Sequence, residues 1–142
     1  MRVFLDTNIL LDIIEAREKF LLASSNVFDL GIRGLIQMYA SPLTFANCIY
    51  TARKNVGYKQ AIFGLKSLKS YVKTTTMDDD QVIQALCSEM PDFEDMLQYE
   101  AAVAAKCDVI VTRDKKRHFP TSGLPILSPE AFLDEYLCKQ NE

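Results

Sequence analysis

Apolar residues along the chain fall into short continuous runs, separated by stretches in which they recur at helical spacing. Residues 2–5 form the first run, which ends in Asp6-Thr7-Asn8, and Ile9, Leu10, Ile13 and Ile14 then repeat with the period of a helix. That order predicts strand, turn, helix. Apolar spacing over 20–30 predicts a second helix punctuated by Gly31 and Gly34, and 35–40 reads as a second buried strand. Ser41 and Pro42 suit the cap and first turn of a third helix, which Phe45, Ile49 and Tyr50 carry to a break near Gly57. Helical spacing resumes over 61–68, and the β-branched stretch 72–76 predicts a third strand.

Asp78 and Gln81 have capping-box spacing, so the acidic triplet 78–80 is assigned to a helix start running to about Cys87, with Asp79 and Asp80 where the helix dipole favours acids. Asp92 precedes a further helix over 93–105. Residues 109–112 form a continuous β-branched run, the pattern of a strand covered on both faces, and it ends at Arg113-Asp114. Residues 125–127 predict a short edge strand, and Ser128-Pro129 opens a last helix carrying Phe132, Leu133, Tyr136 and Leu137. Those four side chains suit core packing and a homodimer interface equally well. Strands alternating with helices predict an α/β fold: one domain over 1–142, with a mostly parallel central sheet and helices on both faces.

Composition agrees with a chain that buries its own core, since 49% of the 142 residues are apolar and 25% are charged. Cys48, Cys87, Cys107 and Cys138 lie far apart with no C-x-x-C pair, which suggests neither a zinc site nor a disulfide framework. The amino terminus reaches Asp6 after three apolar residues, too few for a signal-peptide core or a membrane span, so cytoplasmic residence is expected. Net charge is −3, which alone argues against a nucleic-acid partner. The average hides an asymmetry. Residues 30–77 contain no Asp or Glu and carry +7 through Arg33, Arg53, Lys54, Lys59, Lys66, Lys69 and Lys73, so the remainder carries −10. Such separation suits an anionic partner on one face and cation binding elsewhere, although a solvated basic face gives the same pattern.

In open parallel sheets, ligands bind outside the carboxyl ends of the strands. Asp6 and Asp114 both end predicted strands. If those strands are neighbours, their backbones stand about 4.8 Å apart and the two carboxylates can share a cation. Either aspartate alone is more simply a cap or turn residue. Together with the acid-rich helix start 92–95 they point to a hard-cation site, for which carboxylate oxygens suit Mg²⁺ or Mn²⁺. Successive helical residues point about 100° apart, so with Asp92 as the cap either Glu94 or Asp95 faces the sheet edge, and spacing leaves both open. Other chemistries lack their signatures. His118 is the only histidine and no G-x-S-x-G elbow accompanies it. Asp6-Thr7-Asn8 is no glycine-rich phosphate cradle, nor does it supply the acidic pair of a receiver domain or the D-x-D of a haloacid-dehalogenase-like phosphatase.

Phe4-Leu5-Asp6-Thr7-Asn8 before an apolar helix, Asp92-Phe93-Glu94-Asp95 opening a helix that continues through 101–105, and Val109-Ile110-Val111-Thr112-Arg113-Asp114 together resemble the PIN-domain family, in order and over nearly the whole chain. Many members of that family are Mg²⁺- or Mn²⁺-dependent ribonucleases, VapC-type toxins with antitoxin partners among them. The resemblance implies Asp6, Asp95 and Asp114 as the acidic, metal-holding residues, with Asn8 near them, and so selects Asp95 over Glu94. The expected reaction is hydrolysis of an RNA phosphodiester by metal-activated water, with Asn47 and Asn8 orienting water or a ligand. Arg53, Lys54 and Lys59 would hold the RNA backbone, and Arg113, Lys115, Lys116 and Arg117 would either neutralise a phosphate or form a solvated loop. One feature departs from many active members, which carry Glu where this chain places Asn47. An amide brings a carbonyl oxygen and no charge, so the alternative is a catalytically weakened module that binds RNA or a protein. A branch of the family resembles this chain in having Asn there.

Overall fold

The computed structural model describes residues 1–114 and 119–142. Its elements run β1 (Arg2–Leu5), α1 (Thr7–Ile14), α2 (Leu21–Ile32), β2 (Gln37–Ala40), α3 (Pro42–Val56), α4 (Tyr58–Lys69), β3 (Val72–Thr74), α5 (Asp79–Cys87), α6 (Phe93–Ala104), β4 (Val109–Val111), β5 (Ile126–Leu127) and α7 (Pro129–Gln140). The five strands form one sheet in the order β3-β2-β1-β4-β5, and every pairing is parallel. From β1 the chain steps outward through β2 to β3, then returns to the opposite side of β1 with β4 and β5. The reversal lies between β1 and β4, where Phe4 pairs with Ile110 and Leu5 with Val111. A crevice opens at such a switch point, outside the carboxyl ends of the strands.

Side chains alternate across the sheet and build two cores. Val3, Leu5, Met38, Ala40, Val109 and Val111 face α1, α2, α3, α4 and α7, meeting Ile9, Leu10, Val27, Phe28, Ala52, Leu65 and Phe132. Phe4, Tyr39 and Ile110 face α5 and α6, meeting Ala85, Met96, Tyr99, Ala101 and Ala102. A fully buried side chain of this kind contributes about 1.5–3 kcal/mol relative to exposure. An exposed ion pair such as Arg33–Asp29, at 3.6 Å, contributes about 0–1 kcal/mol, so the two sheet faces hold the fold.

Two glycines behave differently. Gly57 separates α3 from α4 at φ +85°, a left-handed conformation that accounts for the predicted break. Gly31, expected to end α2, lies inside it. Met38 of β2 fills the space where a Cβ at position 31 would stand, so this glycine serves close packing of helix on strand. The acidic triplet is structural as predicted: Asp78 caps α5 in a capping box with Gln81. In α7, Phe132 is buried and Leu133 and Tyr136 pack against the first core, while Leu137 is exposed.

A polar cluster fastens α6 to the start of α3. Ser41 caps α3, its Oγ accepting from the Thr44 N–H at 3.1 Å while Thr44 Oγ1 accepts from the Ser41 N–H at 3.3 Å. Ser41 Oγ also donates to Gln98 Oε1, and Gln98 Nε2 donates to Thr44 Oγ1 at 3.0 Å. Ser41, Thr44 and Gln98 are all fully buried. Ser41→Ala removes a cap, worth about 0.5–2 kcal/mol, and leaves the buried Gln98 carbonyl short of a donor, worth about 1–3 kcal/mol. The expected loss is about 2–4 kcal/mol in urea unfolding; a loss below about 0.5 kcal/mol would show that this cluster does not secure α6.

Candidate active site

Asp6 leaves β1 in extended conformation and caps α1, so one residue both ends a strand and starts a helix. Its N–H donates to Val111 O at 3.0 Å, extending the β1–β4 ladder by one step. The carboxylate is 1% exposed. Oδ1 accepts from the Thr7 N–H at 2.8 Å, and Oδ2 accepts from Thr112 Oγ1 at 2.7 Å and from Asn8 Nδ2 at 3.3 Å. Thr112 Oγ1 in turn accepts from the Asp114 N–H at 3.1 Å and from Asn8 Nδ2 at 3.3 Å. Asn8 Oδ1 accepts from the Arg113 N–H at 3.3 Å. Parallel pairing of β1 with β4 thus brings Asp6, Asn8 and the Asp114 backbone into one hydrogen-bonded network, with the Asp114 residue at the solvent edge.

Asp95 and Asn47 reach this end of the sheet by another route. Helix α6 leads back into β4, so its amino terminus stands at the carboxyl ends of the strands. Gln98 ties it to Ser41, the residue after β2, and Asp95 lies one turn earlier on the same face. Asp92 caps the helix by accepting from the Asp95 N–H at 2.9 Å, as predicted. Burial separates the two acids that spacing left open: Asp95 is 2% exposed, whereas Glu94 is at the surface. Glu94 still belongs to this region, because Asn47 Nδ2 on α3 donates to its Oε1 at 2.8 Å. The amide at position 47 therefore holds a carboxylate carried by the neighbouring helix. Both acids gain from the positive end of the α6 dipole.

Several contributors were not predicted. Thr112 is the hub between Asp6 and Asp114, and its signal is a hydroxyl two residues before the Asp114 N–H, the spacing of a local side-chain turn. Gln98 is detectable as a polar residue one turn beyond Asp95 on a buried face. The role expected for Arg113 at a phosphate is not what the structure displays. Its guanidinium turns away, to Asp12 of α1. Lys115, Lys116, Arg117 and His118 lie outside the described residues.

A PIN-domain family model matches residues 2–116. The chain belongs to the PIN-domain family. No curated protein matches it in sequence. Among solved structures it resembles VapC20 of Mycobacterium tuberculosis, a sarcin-ricin loop cleaving toxin, at 12% identity and TM-score 0.65 over 80% of this chain and 91% of that one. It also resembles VapBC2 of Rickettsia felis bound to a promoter DNA fragment, at 16% identity and TM-score 0.64 over 89% and 97% of the two chains. A toxin–antitoxin complex from Klebsiella pneumoniae gives 20% identity and TM-score 0.65 over 89% and 97%. At such identities the likeness is one of fold.

The carboxylates and amides that the described residues gather at the switch point of this PIN domain offer oxygen donors. Among the described residues no group of three or more His, Cys, Asp or Glu is arranged to hold one metal ion. Mg²⁺ commonly takes one or two carboxylates and keeps several waters, so buried Asp6 and Asp95 have the donor chemistry for a hard divalent ion held partly by water. They do not fit a closed protein cage.

Cys48 of α3 is buried against the start of α1, its Sγ donating at 3.8 Å to the carbonyl oxygen of Thr7, the residue after Asp6. Burial first, and then the Asp6 charge, push its thiol up to about 12; burial and Asp108 do the same for Cys107. A thiol that stays protonated in the folded state while its unfolded counterpart ionises near pH 9 withdraws stability as pH rises from there towards 12. Cys87 and Cys138 are exposed. Native protein treated with iodoacetamide at pH 8 should be alkylated at Cys87 and Cys138 and spared at Cys48 and Cys107, read by peptide mass spectrometry. Rapid labelling of Cys48 would mean that the packing of α3 against α1 opens.

Proposed function

We propose that the protein is a divalent-metal-dependent endoribonuclease acting as the toxin of a toxin–antitoxin pair. The observation that carries this reading is the β1–β4 junction, where buried Asp6 is oriented by Thr112 and Asn8 beside the turn that bears Asp114. Asp6 and Asp95, with Asp114 at the solvent edge, would hold one or two Mg²⁺ or Mn²⁺ ions largely through water and not as a three-carboxylate cage. Such an ion, when bound, lowers the pKa of water and offsets charge on a phosphodiester. Asn8 keeps the Asp6 carboxylate in one orientation, and Thr112 does so from the other strand. Asn47 holds the Glu94 carboxylate at the mouth, which limits the loss of negative charge that an amide at position 47 would otherwise bring.

RNA would lie along the acid-free helices α3 and α4. Arg53, Lys54 and Lys59 are exposed there, and the first two sit over the Tyr50 ring at 4.6 and 4.8 Å. Cations of this kind hold a phosphate backbone without reading bases. The likeness to toxin–antitoxin complexes extends the reading to a protein antitoxin as partner. The uncharged Asn47 favours a second reading, a module that binds RNA or protein with weakened catalysis.

Cleavage of a mixed RNA pool in Mn²⁺ or Mg²⁺ tests the two readings. Asp6→Asn and Asp95→Asn should each lower chelator-sensitive cleavage by at least about 100-fold, the upper end of what losing a mere outer-shell partner costs a metal site. Equal activity in all three proteins would sink the assignment, and bound but uncut RNA would move it to the second reading. Lys54→Glu combined with Arg53→Glu should raise KM and flatten the salt dependence of RNA binding while leaving kcat within about threefold. An unchanged KM would remove the α3–α4 face from the substrate path.

A further inference from the structure

Asp12 of α1 is completely buried, yet its carboxylate is surrounded by charge and hydrogen-bond donors. Arg113 Nε lies 3.1 Å from Oδ1 and 2.9 Å from Oδ2, and Nη2 lies 2.7 Å from Oδ1. Ser24 Oγ on α2 donates to Oδ2 at 2.7 Å, and Arg17 Nη1 stands 3.8 Å from Oδ1. The Arg113 guanidinium carbon also sits 3.8 Å from the centroid of the Phe20 ring, at the entrance to α2. A forked, ring-stacked guanidinium on a buried carboxylate has a single geometry, which a lysine cannot reproduce. It is thereby withdrawn from any phosphate.

The backbone of the same residue belongs to the site. Its N–H donates to Asn8, and it separates Thr112, which holds Asp6, from Asp114, whose N–H returns to Thr112. We propose that Arg113 is a positioning residue: its anchorage on Asp12 and Phe20 sets the course of the Thr112–Asp114 turn and so places Asp114 against Asp6 and Asn8, without touching substrate. This rests on the ribonuclease reading only for its effect on rate.

Arg113→Lys keeps the charge and removes the fork. Relative to wild type it should lower kcat by about 10- to 100-fold, the range for residues that orient a metal site, leave KM for RNA within about twofold, and weaken Mn²⁺ binding measured by calorimetry. Amide hydrogen exchange at residues 113 and 114 should quicken, and that readout needs neither metal nor activity. Quickened exchange confined to 113 and 114, with β1 and β4 exchanging as in wild type, supports the proposal even where the wild type fails to cleave RNA, an outcome that would sink the ribonuclease reading alone; exchange that quickens throughout the sheet would overturn it. A single neutral substitution strands a buried charge and endangers folding, so the second variant is Asp12→Asn with Arg113→Gln, which removes both charges together. It should lower kcat no further than Arg113→Lys lowers it, because the two groups act as a unit. Wild-type exchange and wild-type kcat in Arg113→Lys would overturn the proposal, as would a lowered melting temperature with unchanged kcat. A rise in KM at constant kcat would also overturn it, by making Arg113 a substrate contact.

Discussion

Parallel pairing of β1 with β4, Leu5 against Val111, determines which polar groups meet at the edge of the sheet. Both strands are covered on both faces, so a register slip of one residue would send Phe4 to the side packed by α1 and α2, and Val3 and Leu5 to the side packed by α5 and α6. Packing on the two faces therefore resists any slip. With the register held, the first residue beyond each paired end is Asp6 on one strand and Thr112 on the other, and their side chains meet at 2.7 Å across 106 positions of sequence. The polar junction is a consequence of apolar packing a few ångströms away.

Burying Asp6, Asp12, Asp95, Ser41, Thr44 and Gln98 opposes folding unless each finds partners, since an unpaired buried polar group costs about 1–3 kcal/mol. Asp6 meets hydroxyl, amide and backbone donors, Asp12 meets a guanidinium and a hydroxyl, and Gln98 meets Ser41 and Thr44. Most of these groups gather around the carboxyl ends of the strands. Elsewhere the two cores are largely apolar. A layer of mostly satisfied polar contacts at one end of the sheet, with Thr7 Oγ1 and Thr75 Oγ1 as buried exceptions, is thus the structural counterpart of a site, since its side chains are largely ordered before any ligand arrives.

The elements themselves were legible because strands buried on both faces read as unbroken apolar runs, and because caps at Ser41, Asp78, Asp92 and Ser128 mark helix starts by local chemistry. Placement of Asp6 near Asp114 was legible too, since both follow strands and parallel sheets bind ligands beyond strand ends. What could not be read is whatever depends on a partner distant in sequence. Gly31 reads as a helix stop until Met38 is seen to occupy its missing side chain. Spacing leaves Glu94 and Asp95 open, since they differ by one position and have similar neighbours; the family resemblance selects Asp95, and the packing of α6 on the sheet buries Asp95 and exposes Glu94. Arg113 sits in a basic run that suits phosphate binding, and nothing local reveals that Asp12, a hundred residues earlier, takes its guanidinium.

The charge asymmetry acquires a physical meaning once the helices are placed. The acid-free stretch 30–77 includes α3 and α4, and Asn47 lies within it, on the helix whose last turn carries Arg53 and Lys54. A carboxylate at position 47 would insert a negative group into the one helical surface that is otherwise cationic or neutral. With an amide there, the negative charge beside the site is carried instead by Glu94 on α6, at an amino terminus that favours anions, and the cations stay at the end of α3, where the dipole favours them. Each sign of charge thus resides on the helix end that stabilises it, and the two helices meet through the Asn47–Glu94 hydrogen bond. A phosphate chain following α3 would run past cations first and reach the carboxylates last, so a modest net charge of −3 is compatible with holding a polyanion next to an acidic site.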